Sequence, residues 1–341
     1  MRETVKIEEP QLQIFSEQRR SSSFGSCYMT RGLFVRADAK LTCSCMIGYY
    51  SELGDLRTTH AGEFCKGKLI RYVAQSFLEG LEPFAMCSCC ATRQADEVPE
   101  HWRREPCEVK NLTIHVEPSN QCNLFCEACL CTSERKLAGP RLRRTLDFSL
   151  YGKMLHELKE SEIHVGNVVF AGFGEPLFNN NLSDMVRHAR TLYPESHLSL
   201  DTNCNFSAEK AREIADCGLD QVRLALDGAD QQSYEKYRVK GDFSRAINFA
   251  RSLREAVDAT GSKTQLVWKY ILFRHNDSDL LLHKAAQMAK LYGLRIIFDV
   301  SVGPLASQRS LEDLKQSLEG IEVSNNVDQK AYEISSKPKE E

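Results

Sequence analysis

The 341-residue chain has almost no surplus of charge. Its 44 Lys and Arg stand against 47 Asp and Glu, a formal net charge of −3. That leaves no electrostatic footprint for nucleic acid or for an anionic membrane surface. No apolar run approaches the ~20 residues a membrane-spanning helix needs. The opening residues, MRETVKIEEPQLQ, are charged and lack the apolar segment of a signal peptide. A cytoplasmic protein with neither nucleic-acid nor membrane partners is therefore expected. Internal repeats and low-complexity arrays are missing too. So are the G-K-[ST] of a phosphate loop and the later glycine of a dinucleotide fingerprint, which removes two common nucleotide-binding loops.

Cysteine is not scarce. There are 14, unevenly spread. Cys27, Cys43, Cys45, Cys65, Cys87, Cys89 and Cys90 precede residue 91, five more lie between 107 and 131, and only Cys204 and Cys217 lie beyond. Without an export signal, clustered thiols point to metal ligation or redox chemistry rather than disulfides. A hydrophobic content of 42% is enough for a sizeable core. The length suits one large domain with a smaller one.

Composition divides the chain. Residues 1–26 are polar and expected to be loosely ordered. Residues 27–92 form a small Cys-rich domain, in which GLFVRADAKLTCSC reads as a hairpin and KLIRYVAQSFLEGL as a helix with Leu69, Val73, Phe77 and Leu81 on one face. Residues 93–107 read as a linker. Over 108–305 strands and helices alternate, with strands at 109–116, 167–171, 197–201, 221–226, 265–272 and 294–300. Helical stripes lie between them: Leu150, Met154, Leu155 and Leu158 after Asp147, then Leu182, Val186, Ala189 and Leu192. A third helix is expected from a Ser207 cap to Gly218, a fourth from Ser244, and a fifth from Asp279 to Leu291 with a stop at Gly293. A C-terminal helix falls within 306–320, and 321–341 reads as a frayed tail. Six βα units imply an α/β fold with a parallel sheet, either rolled into a partial barrel or doubly wound.

The stretch SNQCNLFCEACLC places Cys122, Cys126 and Cys129 in a C-x3-C-x2-C spacing directly after the first strand of this run. That is the rim where barrel enzymes keep their chemistry. A structural zinc wants four ligands, usually two pairs from separate loops. Three thiolates on one short loop suit a [4Fe–4S] cube, with one iron left open to an outside ligand. After the second strand comes AGFGEP. Gly172 and Gly174 let the backbone approach a ligand closely, Glu175 offers a carboxylate to an ammonium group, and Pro176 fixes the turn.

The Cys motif followed by G-x-G-E-P resembles the radical S-adenosylmethionine (SAM) family, over roughly residues 108 to 300. DTNCN, LALDGAD, YEKYRVKGDFSRAI and YILFRHNDSD add to the likeness. The resemblance implies a partial (β/α)6 TIM-type barrel. It implies that Cys122, Cys126 and Cys129 hold a [4Fe–4S] cluster whose open iron chelates SAM, with Gly172, Gly174, Glu175 and Pro176 at the SAM amino group. Asn203 and Asn276 are implied SAM contacts, although either side chain also suits a helix cap, and Asp227 is an implied ribose contact, with an internal ion pair as the alternative. The reduced cluster would cleave SAM to a 5′-deoxyadenosyl radical that abstracts hydrogen from a small molecule or peptide. A flavodoxin or ferredoxin would supply the electron. Arg223 and Lys269, facing the barrel interior, are the candidate catalytic or substrate-binding residues; internal ion pairing, with Asp299 for Lys269, is the alternative. The N-terminal cysteines resemble a SPASM region placed before the barrel instead of after it. This implies an auxiliary [4Fe–4S] cluster drawing on Cys27, Cys43, Cys87 and Cys90, with Cys45, Cys65 and Cys89 as competitors and a structural zinc as the alternative. An auxiliary cluster favours oxidation or dehydrogenation of the substrate. The rival reading of the whole chain is a zinc or iron–sulfur scaffold or electron carrier.

Overall fold

The computed structural model describes residues 32–43, 52–79, 81, 83–84, 111–127, 129, 143–300 and 305–325. Two compact units emerge. The first takes the described residues up to Glu117 together with Arg144–Gly172 and His188–Ser196. The second takes Pro118–Arg143, Phe173–Arg187 and the described residues from His197 onward.

In the first unit, strands β1 (Gly32–Val35) and β2 (Lys40–Thr42) form the expected hairpin, with Phe34 opposite Thr42. Ala39 takes the left-handed conformation at its turn (φ 68°). Strand β3 (Gly54–Asp55) adds antiparallel to β2. Helices α1 (Ala61–Lys66) and α2 (Lys68–Leu78) follow, then β4 (Leu112–Val116), α3 (Phe148–Glu160) and β5 (Val165–Phe170). The hairpin does not stand apart from the βα run. β1 pairs in parallel with β4, Gly32 opposite Thr113, and β4 pairs in parallel with β5. No local pattern announces a parallel partner some 80 residues away in the chain, because only the tertiary fold brings the two together.

Helix α1, which the sequence did not suggest, docks on α3. The buried Glu157 carboxylate of α3 accepts the Ala61 N–H at 2.8 Å. The apolar face of α2 is Ile70, Val73 and Ala74, packed with Leu53 and Phe84, while Leu69 is only half-buried. Asp147 caps α3 by accepting from the Leu150 N–H at 3.0 Å. Tyr151 takes the buried place expected of Leu150, beside Met154, Leu155 and Leu158.

Helix α4 (Leu182–Leu192) leads to β6 (His197–Thr202), α5 (Ala208–Ile214), β7 (Gln221–Ala225), α6 (Gln231–Glu235), α7 (Phe243–Thr260), β8 (Gln265–Leu272), α8 (Asp279–Leu291), β9 (Arg295–Val300), α9 (Leu311–Ser317) and β10 (Glu322–Asn325). In the second unit β6, β7, β8, β9 and β10 pair in that order, all parallel. The fold is thus α/β with a mostly parallel sheet, and the βα succession of a partial (β/α)6 barrel is present. Several boundaries differ from expectation, β5 among them, which covers Val165–Phe170 instead of 167–171. Helix α5 stops at Ile214, where the Cys217 thiol takes the Ile214 carbonyl (3.2 Å), instead of running to Gly218. Helix α7 begins one residue earlier, capped by Asp242, whose carboxylate accepts from the Arg245 N–H at 3.0 Å. The polar residues after 320 contribute β10, with Glu322 opposite Ile297 and paired to Arg295. Helix α8 ends as expected, before a left-handed Gly293 (φ 63°). Among the described residues no helix is long and apolar enough to cross a membrane.

One face of β7–β9 carries Leu224, Leu226, Trp268, Tyr270, Leu272 and Phe298, all fully buried. Period-two alternation puts Arg223, Ala225, Lys269, Ile271, Ile297 and Asp299 on the other. Four of these six are half-buried, so this face is the more open one.

Candidate cofactor site

The cysteine loop is tied to the segment after α6. Phe125 N–H donates to the Val239 carbonyl at 3.0 Å and Glu127 N–H to the Tyr237 carbonyl at 3.3 Å. Cys129 N–H closes a turn on the Cys126 carbonyl at 3.2 Å. Leu124, Cys126, Tyr237 and Phe273 form an apolar cluster, and Cys122 and Cys129 pack against it with Ile271 and Leu305. The three thiols of the motif therefore converge on one patch. Among the described residues no three His, Cys, Asp or Glu side chains gather closely enough to hold a single metal ion. Burial pushes the Cys122 thiol up to about 11 and raises Cys126 too, the latter against the pull of Arg238. Neighbouring thiols that burial keeps protonated exchange protons for metal when it binds. The donor set fits an iron–sulfur cube.

The G-F-G-E-P turn is pressed onto this loop. A side chain at Gly174 would place Cβ 2.1 Å from the Ser119 carbonyl oxygen, so only glycine permits the approach. Glu175 N–H then donates to the Gln121 carbonyl at 2.6 Å. Gly172 serves a different contact, in the first unit. Its absent Cβ leaves room for Glu117, fully buried, whose carboxylate accepts the Ala37 N–H at 3.0 Å. Pro176 starts a short 3-10 turn, Pro176–Phe178, capped by Glu175.

The Glu175 carboxylate is turned inward. It accepts from Thr202 Oγ1 at 2.8 Å, Asn203 N–H at 2.7 Å and Leu177 N–H at 3.2 Å. Burial pushes its carboxyl up to about 7 against these three donors. It holds the end of β6 to the G-E-P turn. Asn203 extends the link, its amide donating to Asn123 Oδ1 at 2.8 Å and to the Cys122 sulfur at 3.7 Å. Cys204 sits next with a left-handed backbone (φ 63°), where the resembled family usually has glycine, and it is fully buried.

The remaining candidates separate into clamps and a charged face. Asp227 is fully buried and both carboxylate oxygens are engaged, Oδ1 by the Ile271 N–H at 2.7 Å and Oδ2 by Arg238 Nε at 2.6 Å. Asn276, also fully buried, donates to the Asp227 and Ile271 carbonyls, both at 3.0 Å, and accepts from Phe273 N–H at 2.7 Å. These contacts fold back the chain after β8. Arg223 pairs with Asp201, directly opposite on β6. Lys269 pairs with Asp299 at 3.1 Å. Sequence reasoning passed over Arg238. It lies in YEKYRVKG, and its side chain reaches both Asp227 and the Cys126 sulfur (Nη1, 3.5 Å). A basic residue between Lys236 and Lys240 after a polar helix carries no local signal of burial.

Of the N-terminal cysteines, Cys27, Cys45, Cys87, Cys89 and Cys90 lie outside the described residues, as do 1–26 and the linker 93–107. Cys43 ends the hairpin and packs against the Leu53–Ile70–Val73–Phe84 cluster. Cys65 is buried in α1, and burial pushes its thiol up to about 12.

Residues 116–267 match the family model described as the Radical SAM superfamily. The chain is 31% identical over 122 residues to a Mycobacterium tuberculosis protein named GTP 3',8-cyclase 2, covering 36% of this chain and 32% of that one. It is 31% identical over 160 residues to a Methanococcus aeolicus protein named probable GTP 3',8-cyclase, covering 45% and 47%. Among solved structures, a radical SAM methyltransferase from Sphaerobacter thermophilus is 18% identical with a TM-score of 0.48, covering 63% of this chain and 66% of that one. The alignments thus span less than half the length of these curated relatives. Residues 116–267 are thus similar to the radical SAM superfamily.

Proposed function

We propose that this chain is a cytoplasmic radical SAM enzyme that oxidises or otherwise modifies a small molecule or peptide. The observation that carries the reading is the convergence of Cys122, Cys126 and Cys129 on one patch, with the G-E-P turn locked against their loop through Gly174. Cys122, Cys126 and Cys129 hold the [4Fe–4S] cluster. When bound and reduced, that cluster supplies the reductive cleavage of SAM and, through it, hydrogen-atom abstraction. The chain's own part is placement. Glu175 and Asn203 fix the end of β6 against the cysteine loop, so the edge of the G-E-P turn is presented at a set height beside the thiols. The Tyr237–Phe273 ring pair, centroids 4.3 Å apart, packs with Leu124 and Cys126 of the loop.

The charged face of β6–β9 is the substrate side of this reading. Its cations Arg223 and Lys269 each already meet a carboxylate, as does Arg295 at the start of β9. That balance favours a substrate of low net charge over a triphosphate such as the GTP in the relatives' names. An auxiliary [4Fe–4S] cluster in a SPASM-like N-terminal region, with Cys43 as the one described member of the ligand set Cys27, Cys43, Cys87 and Cys90, gives the second electron of an oxidation a way out. A flavodoxin or ferredoxin delivers the first electron.

The test is anaerobic reconstitution followed by iron analysis and detection of 5′-deoxyadenosine from SAM under reductant. About four irons per chain are expected from the motif alone and about eight with one auxiliary cluster. Deoxyadenosine formation that survives Cys126→Ala would refute the ligand assignment. Bound zinc in place of iron, with no SAM cleavage, would establish the scaffold reading instead.

A further inference from the structure

We propose that the Asp227–Arg238 pair is the electrostatic control of the cluster site: Arg238 raises the reduction potential of a cluster held by Cys126, and Asp227 limits how far. The inference rests on the ligand assignment just made. It names residues that position charge and bond to no iron.

The geometry is specific. Arg238 Nη1 donates to the Cys126 sulfur at 3.5 Å, while Nε and Nη2 meet Asp227 Oδ2 at 2.6 and 2.5 Å. The guanidinium also lies 5.1 Å from the centre of the Tyr237 ring. The Asp227 side chain is fully buried and only 12% of the Arg238 side chain is exposed. Asp227 cannot swing away, because the Ile271 N–H holds its other oxygen and Asn276 holds its carbonyl. A planar fork is needed to serve a carboxylate and a sulfur at once, which a lysine ammonium cannot do in the same pose. Two further donors to a motif sulfur are neutral, the Leu124 N–H at 3.5 Å and the Asn203 amide at 3.7 Å, both on Cys122. Arg238 therefore places a charge directly on Cys126.

The physical consequence has a definite sign. One-electron reduction adds one negative charge to the cluster, drawn from an external low-potential reductant, and breaks no bond. A buried cation hydrogen-bonded to a cluster thiolate favours the more negative state, with little solvent screening. Net charge and hydrogen bonds to the sulfurs set such potentials. The Asp227 carboxylate beside the same guanidinium works the other way.

The experiment is a redox titration of the reconstituted full chain, with dithionite as reductant, electron paramagnetic resonance as the readout and iron counted per chain. At a fixed solution potential, Arg238→Gln is expected to lower the ratio of reduced to oxidised cluster about tenfold, a midpoint about 59 mV lower for one electron. Arg238→Lys keeps the charge without the fork and is expected to fall less. Asp227→Asn keeps the shape and removes the countercharge, so its midpoint is expected to rise. Opposite shifts at two touching residues are not produced by loosening of the fold. An Asp227→Asn midpoint at or below wild type, or an Arg238→Gln midpoint at or above it, overturns the proposal. An Asp227→Asn chain that takes up no iron overturns it as well, leaving the pair a purely structural clamp. Should Arg238→Gln lose its iron, the lysine and asparagine variants decide. A wild-type chain that takes up no cluster instead refutes the function proposed above, whereas unmoved potentials in loaded variants refute this inference alone.

Discussion

Replacing Gly174 by alanine tests the contact that joins the two halves of the site. The new Cβ would lie 2.1 Å from the Ser119 carbonyl oxygen and 2.6 Å from both the carbonyl carbon and Cα of Asn120. Comfortable separation for such atoms begins near ~3.5 Å. All three obstacles are backbone, so no rotamer change relieves them, and the two loops must part by about 1 Å. Overpacking of this kind costs about 1–3 kcal/mol. The parting also breaks the 2.6 Å bond from Glu175 N–H to the Gln121 carbonyl, about 1 kcal/mol more. The sum, about 2–4 kcal/mol, corresponds to a drop in melting temperature on the order of 10 °C. Reacting groups misplaced by about 1 Å lose about 100-fold in rate. Thermal unfolding of the metal-free chain, iron per chain after reconstitution and 5′-deoxyadenosine formation read these effects in turn. A Gly174→Ala chain that melts within about 1 °C of wild type and takes up the same iron would show that the glycine is not what sets the distance.

Glu175→Gln keeps one acceptor where three donors converge, so one buried N–H or hydroxyl meets an NH2 group. A loss of about 1–3 kcal/mol in denaturant unfolding is expected, and an unchanged midpoint would remove Glu175 from the frame of the site. Lys269→Met is expected to leave SAM cleavage without substrate intact while slowing substrate turnover, because Lys269 lies on the charged face, paired with Asp299; equal loss of both activities would contradict that division. At Asp230, burial alone would raise the carboxyl, but the hydrogen bond from Lys284 and those from the Ser233 N–H and hydroxyl hold it at about 2, below its ordinary 3.8. Its contribution to stability is complete above the unfolded value and drains away as pH falls from 3.8 towards 2. Asp230→Asn should flatten stability across that acid window, and a mutant with the wild-type slope there would disprove the assignment.

What the sequence made legible follows from how locally each feature is encoded. Strand β8 falls on the expected residues because the apolar run Leu266–Leu272, interrupted at Lys269, is flanked by the polar stretches TGSKT and RHNDSD. Helix α8 begins and ends where a Ser cap and a glycine stop are written into the chain. The cysteine spacing is local in the same way, since the three thiols of the proposed ligand set lie within one short loop. The internal pairing of Lys269 with Asp299 was readable because alternation fixes which residues share a face of adjacent strands. Non-local features were not legible. The parallel pairing of β1 with β4, the docking of α1 on Glu157 and the reach of Arg238 to Cys126 join residues about 80, 96 and 112 positions apart.

The same distinction separates ligands from the residues that hold them. Asp227, Asn203 and Asn276 stood out in sequence as polar residues at strand ends, where a cofactor contact is the natural expectation. The folded chain gives each of them protein partners at hydrogen-bond distance, and all three are buried. A buried polar side chain that is fully engaged stabilises by being satisfied, and removing its partner is what costs. Their work is therefore to make the cysteine loop, the G-E-P turn and the ends of β6 to β8 one rigid frame. A site that must hold three sulfurs in register against a soluble cofactor depends on that frame as much as on the sulfurs, since preorganised ligands lose little entropy when the metal arrives.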